Sequence, residues 1–158
     1  MKKWIFSLSL LFIFVIGFFV HVYVEAQSPY KKAKQNALKM AKDEAGIISV
    51  VDFYIYNSNQ SYEVVVGKTK KKKTLAVWIP EKKNADTIVI DYSKGISKKE
   101  AIQKLQTEEH PREIISVRLG MEKVGPIWEL AYLDRDDHLN YYYLLFENGK
   151  WWKKINNI

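Results

Sequence analysis

Apolar and polar positions divide the chain into three kinds of run. From Trp4 to Val24 no side chain is charged, and about 20 such residues are what a helix needs to cross a bilayer. From Ile47 onward, short runs rich in Val, Ile, Tyr and Trp are separated by clusters of Asn, Asp, Gly and Lys. That is the pattern of strands and turns. Two further stretches have helical spacing. In the first, Tyr30, Ala33, Ala37, Met40 or Ala41, and Ala45 recur at intervals of three and four. Ser28-Pro29 suits its start and Gly46 the position just past its end. In the second, Ser97-Lys98-Lys99-Glu100 has the form of a capping box, with Ile96 and Ala101 at the staple positions. Its buried face is Ala101, Ile102 and Leu105, and it ends before Pro111.

The strands expected are Ile47–Tyr56, Tyr62–Val66, Thr74–Ile79, Thr87–Tyr92, Ile114–Leu119, Ile127–Leu133, Leu139–Phe146 and Trp151–Ile155. Asp134–His138 is the turn of the hairpin Ile127–Phe146, and Asn148-Gly149 closes a second turn, both residues tolerating positive φ. This hairpin has an earlier echo. Tyr62-Glu63-Val64-Val65-Val66 aligns with Trp128-Glu129-Leu130-Ala131-Tyr132, and Leu75–Ile79 with Tyr141–Leu145. Glu81-Lys82-Lys83 then falls on Glu147-Asn148-Gly149. Each half reads helix, strand, hairpin, strand; chance similarity of two amphipathic hairpins is the alternative. The fold class is α+β: an N-terminal transmembrane helix, then two small repeated units, each a helix packed on an antiparallel β-sheet. The divisions expected are 1–25 (cytoplasmic stub and anchor), 26–94 and 95–158.

Lys2 and Lys3 precede the apolar run, which places the N-terminus in the cytoplasm and the rest outside the cell membrane. Trp4 and Tyr23 stand at its ends, where amphipathic rings favour the interface. The rival is a cleaved signal peptide, with Val24-Glu25-Ala26 as a loose cleavage site. The apolar core exceeds the 7–15 residues of a signal h-region, so an uncleaved single-pass anchor is the reading preferred.

Charge and composition narrow the partners. The 158 residues include no cysteine, which excludes a disulfide framework and a thiolate metal site. The net charge of +7 is uneven. Residues 26–94 carry 13 lysines against seven acidic groups, whereas 95–158 balance ten against ten. Lys68, Lys70, Lys71, Lys72 and Lys73 form a basic hairpin tip, a candidate site for an anionic wall polymer or lipid. A solvated turn that discourages edge pairing accounts for the same run. The topology excludes nucleic acid. Lys31, Lys32, Lys34, Lys39 and Lys42 line one face of the first helix, either solvated or drawn to anionic lipid.

Catalytic chemistry is not legible. The chain has no HExxH, GxSxG, P-loop or GxGxxG. His110 and His138 belong to a helix end and a turn. Asp134, Asp136 and Asp137 lack the Gly and Glu of a calcium loop. Glu63 and Glu129 are expected as exposed strand residues paired across a sheet. Trp78, Trp128 and Tyr142 read as helix-on-sheet packing. Tyr141 and Tyr143 share one strand face, opposite Tyr142, and Trp151 and Trp152 point to opposite faces. Trp151 and Trp152 are the candidate partner anchors. No catalytic residue, metal or cofactor is expected, and the protein reads as a non-enzyme.

GISKKEAIQKL, followed by IWELAYLDRDDHLNYYYLLFENGKWWKK, resembles a PepSY-type unit: a Ser…Glu-Ala-Ile helix, a Trp-Glu strand, and an aromatic strand ending in Gly-Lys. The anchor, the Lys/Ala-rich helix and two PepSY- or cystatin-like units resemble the YpmB/TseB-like family of Firmicutes over nearly the whole chain. That resemblance implies a single-pass, extracytoplasmic regulator of cell-wall elongation that binds a monofunctional penicillin-binding transpeptidase. The other readings open at this point are a binder of anionic wall polymer or lipid through the first unit, and a PepSY-like inhibitor of an extracellular protease or hydrolase.

Overall fold

The computed structural model describes residues 2–82 and 85–157. Met1, Ile158, and Lys83 of the expected Glu81–Lys83 turn lie outside the described residues. The chain divides into two compact units, Met1–Asn36 and Ala37–Ile158. The order of elements is α1 (Lys2–Ala45), β1 (Ile47–Asn57), β2 (Ser61–Thr69), β3 (Thr74–Pro80), β4 (Ile88–Asp91), α2 (Lys98–Glu109), β5 (Glu113–Glu122), β6 (Gly125–Leu133), β7 (Leu139–Leu145) and β8 (Trp151–Ile155). A 3-10 turn, Tyr92–Lys94, precedes α2. The strands form two four-stranded antiparallel meanders, β1-β2-β3-β4 and β5-β6-β7-β8.

α1 corrects the expectation of a helix starting at Ser28-Pro29. One helix runs through both residues, with Pro29 inside it. Pro29 lacks its N–H and crowds the carbonyl four residues back, but extending an existing helix is cheaper than nucleating a second one. Among the described residues, α1 is the one helix long and apolar enough to cross a membrane, and Phe12, Phe14, Phe18 and Phe19 are exposed on it. It ends as expected: Gly46 has φ +66 and its N–H donates to the Lys42 carbonyl at 3.0 Å. α2 has the full capping box. Ser97 Oγ accepts from Glu100 N–H (3.2 Å), and Glu100 Oε2 accepts from Ser97 N–H (2.7 Å).

The two hairpin turns fix how the halves correspond. Thr69 N–H donates to the Lys73 carbonyl and Lys72 N–H to that of Thr69. Asp134 N–H donates to the His138 carbonyl and Asp137 N–H to that of Asp134. Lys72 and Asp137, the fourth residues, both have positive φ, 60° and 66°. Matching these turns pairs Val65 with Leu130 and Val77 with Tyr142, and both pairs face a helix. Val65, Val77 and Ile79 pack with Ala37 and Ala41 of α1. Leu130, Tyr142 and Leu144 share a cluster with Ala101 and Leu105 of α2. The alignment of Glu63 with Glu129 instead sets Val64 and Val66 against Leu130 and Tyr132, which share one core cluster with them. A one-residue change of offset exchanges the two faces of a strand.

The main core joins the two sheets. Tyr54, Val64, Val66, Ala76 and Trp78 of the first sheet are buried with Leu119, Trp128, Leu130, Tyr132, Tyr142 and Leu144 of the second, and with Ala101 and Leu105 of α2. Trp78 and Trp128 are fully buried and each finds an acceptor: Trp78 Nε1 donates to Gly120 O (3.0 Å) and Trp128 Nε1 to Ile96 O (3.0 Å). Truncating either would cost about 3–5 kcal/mol. Gly120 is required by close approach. A Cβ there would stand 2.5 Å from the ring of Tyr56. Tyr56 Oη and Ser58 Oγ both donate to Glu122 Oε1, at 2.7 and 2.6 Å, tying the end of β1 to β5.

Candidate functional site

The first sheet is covered on both faces: by α1 residues on one, and by α2 and the second sheet on the other. Among the described residues, α2 and the first sheet pack against one face of the second sheet. Its opposite face carries Ile127, Tyr141, Tyr143, Leu145, Trp152 and Ile155, and Tyr56 of β1 packs with them from the first sheet. By turn matching, this open face corresponds to the face that the first sheet buries.

The open face is ordered by its own rings. Tyr141 and Tyr143 stack at 6.5 Å, and Trp152 meets Tyr143 edge-on at 5.9 Å. Lys153 Nζ lies 5.5 Å from the centre of the Tyr143 ring, a cation–π distance. A register shift where β8 leaves Tyr143 and Leu144 lets Trp152 pack inward while Trp151, 57% exposed, projects from the edge strand. The edge of β8 has no strand beyond it. Lys154 is held by Glu109 of α2, and Glu109 also accepts from Tyr132 Oη (2.8 Å). Tyr142 donates to Glu108. These bonds tie β7 and β8 to α2.

Within the face lies an ion pair. Arg118 and Glu129 are direct cross-strand partners, with Nη2 and Oε1 2.6 Å apart. Cross-strand pairing was expected of Glu129, but exposure was not what the fold provides. Glu129 is 6% exposed, because the Tyr143 side of the sheet closes over it. Glu129 Oε1 is thus held by the Arg118 guanidinium as an ion pair, and Arg118 Nε is buried without a hydrogen-bond partner among the described residues. Burial first, and then the Glu129 charge, push the Tyr143 phenol well above its ordinary pKa. Glu63 is half-buried, and burial followed by the neighbouring Glu81 raises its carboxyl.

The basic tip is partly consumed by the fold. Lys73 is paired with Asp91 at 2.7 Å. Hydrogen bonds from Lys73 and Ser93 hold the Asp91 carboxyl far below the usual range. Lys68 shares a strand face with Val64 and Val66. Lys70, Lys71 and Lys73 line a cavity, and Lys42 of α1 joins them. Sequence spacing gives no sign of that meeting; only the fold brings residues 42 and 70 together. Arg118 with Glu129 was the other pair missed, although their alternation positions were readable.

Among the described residues, Asp134, Asp136 and His138 are the one group whose ligand atoms converge, all within 4.8 Å. Asp134 already acts as the turn's acceptor. Its Oδ1 takes the N–H groups of Asp136 and His138 and its Oδ2 the Asn140 side chain, all at 3.0 Å. Burial pushes the Asp134 carboxyl up, but these hydrogen bonds prevail and hold it below the ordinary value. Asp137 pairs with Arg112. The turn accounts for all of these residues.

This geometry defines an α+β protein of two four-stranded antiparallel sheets with an N-terminal apolar helix. Residues 36–80 match the model of the cell wall elongation regulator TseB-like domain. The chain is 28% identical over 147 residues to the probable cell wall elongation regulator TseB of Bacillus subtilis (strain 168), covering 93% of this chain and 91% of that protein. The solved structure of the YpmB protein from Bacillus subtilis is 30% identical, with a TM-score of 0.68, and covers 77% of this chain and 95% of its own. The chain belongs to the TseB-like family of cell wall elongation regulators.

Proposed function

We propose that this protein is a membrane-anchored, extracytoplasmic, non-enzymatic regulator of cell-wall elongation that binds a penicillin-binding transpeptidase. One observation carries the reading. The second sheet leaves open the face that its counterpart buries, and that face is aromatic, half-buried and bordered by an unpaired edge strand. Trp151 and Trp152 anchor the partner there, Trp151 from the exposed edge strand and Trp152 from the aromatic face. The family name, the apolar α1 and the two N-terminal lysines support a single-pass protein with its N-terminus inside. The matched turns and helix-facing positions support two PepSY/cystatin-like units meeting near Lys94-Gly95.

The test is crosslinking of tagged full-length protein in intact cells, followed by mass spectrometry. A transpeptidase recovered with wild type and lost with the double variant Trp151→Ala/Trp152→Ala supports the reading. Recovery of a protease or wall hydrolase instead overturns it in favour of an inhibitor.

A further inference from the structure

We infer that Lys42, Lys70 and Lys71 form a binding site for a polyol phosphodiester, at the place where α1 ends against the β2–β3 turn. The site is a cavity of about 560 Å³ lined by Lys42, Ala45, Gly46, Ile48, Thr69, Lys70, Lys71 and Lys73. Three features set it apart from a run of solvated lysines. The first is convergence. Lys42 comes from the helix, and neither it nor Lys70 or Lys71 appears in any ion pair among the described residues. Lys73 is neutralised by Asp91, so the excess charge belongs to the other three.

The second feature is the floor. Ala45, Gly46 and Ile48 are apolar, and Ile48 is 58% exposed. A bare phosphate has no use for that surface, whereas the carbon backbone of a polyol covers it. The third is the helix end itself. Gly46 N–H satisfies the Lys42 carbonyl, and a helix end leaves its last carbonyls without intrahelical donors. Helix C-termini repel anions with roughly half a charge, which three ammonium groups outweigh. Those carbonyls accept from hydroxyl groups. The site therefore offers cations for a phosphate, acceptors for hydroxyls and an apolar floor, which together match a glycerol- or ribitol-phosphate ester.

The backbone agrees. Lys72 holds φ +60 in the turn, a position where glycine or asparagine is the unstrained choice. Asp137 holds φ +66 at the same position of the second hairpin, so the conformation belongs to the turn. Here it closes a five-residue turn that presents Lys70 and Lys71 beside α1.

Such chemistry has two sources, a lipid head group and a wall polymer, and the experiment separates them. Full-length protein in phosphatidylcholine nanodiscs would be titrated with poly(glycerol phosphate) and, separately, with soluble dihexanoyl phosphatidylglycerol. The triple variant Lys42→Gln/Lys70→Gln/Lys71→Gln would be compared with Lys31→Gln/Lys32→Gln/Lys39→Gln, which removes the same charge elsewhere on α1. The expected result is an affinity loss of about tenfold or more in the cavity variant only. The slope of log affinity against log salt should also become shallower by about two, the share of three phosphate contacts. Tighter binding of the polymer assigns the site to wall polymer, and equal binding per phosphate assigns it to the head group. Equal losses in both triple variants, no binding of either probe, or affinity indifferent to salt would overturn the inference.

Discussion

Gly120 is where the union of the two sheets can be broken with one atom. Its α-carbon lies under the Tyr56 ring, and its carbonyl accepts from Trp78. In Gly120→Ala the new Cβ would stand 2.5 Å from Tyr56 Cδ2, well inside contact distance. The ring must move by about 1 Å, which takes its hydroxyl away from Glu122 Oε1, now at 2.7 Å. Overpacking of this kind costs about 1–3 kcal/mol, and a hydrogen bond to a carboxylate about 1.5–3. Alanine recovers about 0.5–1 kcal/mol of the backbone entropy that glycine loses in a strand. The net destabilisation expected is about 1.5–5.5 kcal/mol. With a urea m-value of about 2 kcal/mol/M, the midpoint falls by about 1–3 M. The assay is urea unfolding of detergent-solubilised full-length protein followed by tryptophan fluorescence, because Trp78 and Trp128 sit in the joint core. The same substitution in a Tyr56→Ala background should be close to neutral, since its obstacle is gone. A cost below about 0.5 kcal/mol in wild type, or an equal cost in both backgrounds, would refute the reasoning.

Other outcomes follow from local features. Lys72→Gly should raise stability by about 0.5–1 kcal/mol by relieving the left-handed turn, read as an upward shift in urea midpoint. Ser97→Ala should lower it by about 1 kcal/mol through loss of the cap on α2. Glu63→Gln should stabilise at pH 7. The raised carboxyl means that the folded state holds its proton more tightly than the unfolded one, so ionisation above the folded pKa costs stability. The gain should vanish below about pH 4, where the wild-type side chain is also neutral. Asp91 and Glu108 act in the opposite sense. Their lowered pKa values contribute stability above about pH 4.5 that is lost as pH falls through the folded values, so an acid scan should show falling melting temperature below that point.

Most elements were legible because each carries its own local signal. The Ser97 capping box, the terminal Gly46 and the Asn148-Gly149 turn (φ +66 at Gly149) depend on a few adjacent residues, and all three appear. The start of α1 was misread for the same reason. Ser28-Pro29 is a good local start, but a helix already under way does not need one. Composition reveals alternation and not which face of a strand meets a helix; the packing supplies that. Burial of Glu129 and the meeting of Lys42 with Lys70 depend on what lies across a sheet or beyond a helix end. Alternation brings Arg118 and Glu129 onto one face, but only the pairing register places them opposite each other.

The central claim is that a partner docks on the open face of the second sheet. A photo-crosslinking residue placed at Trp151 of the full-length protein in living cells tests it most directly, with Val89 on the opposite edge strand β4 as the control. A transpeptidase adduct is expected from position 151 and none from 89. Equal adducts from both positions, or an adduct from 89 alone, would contradict it.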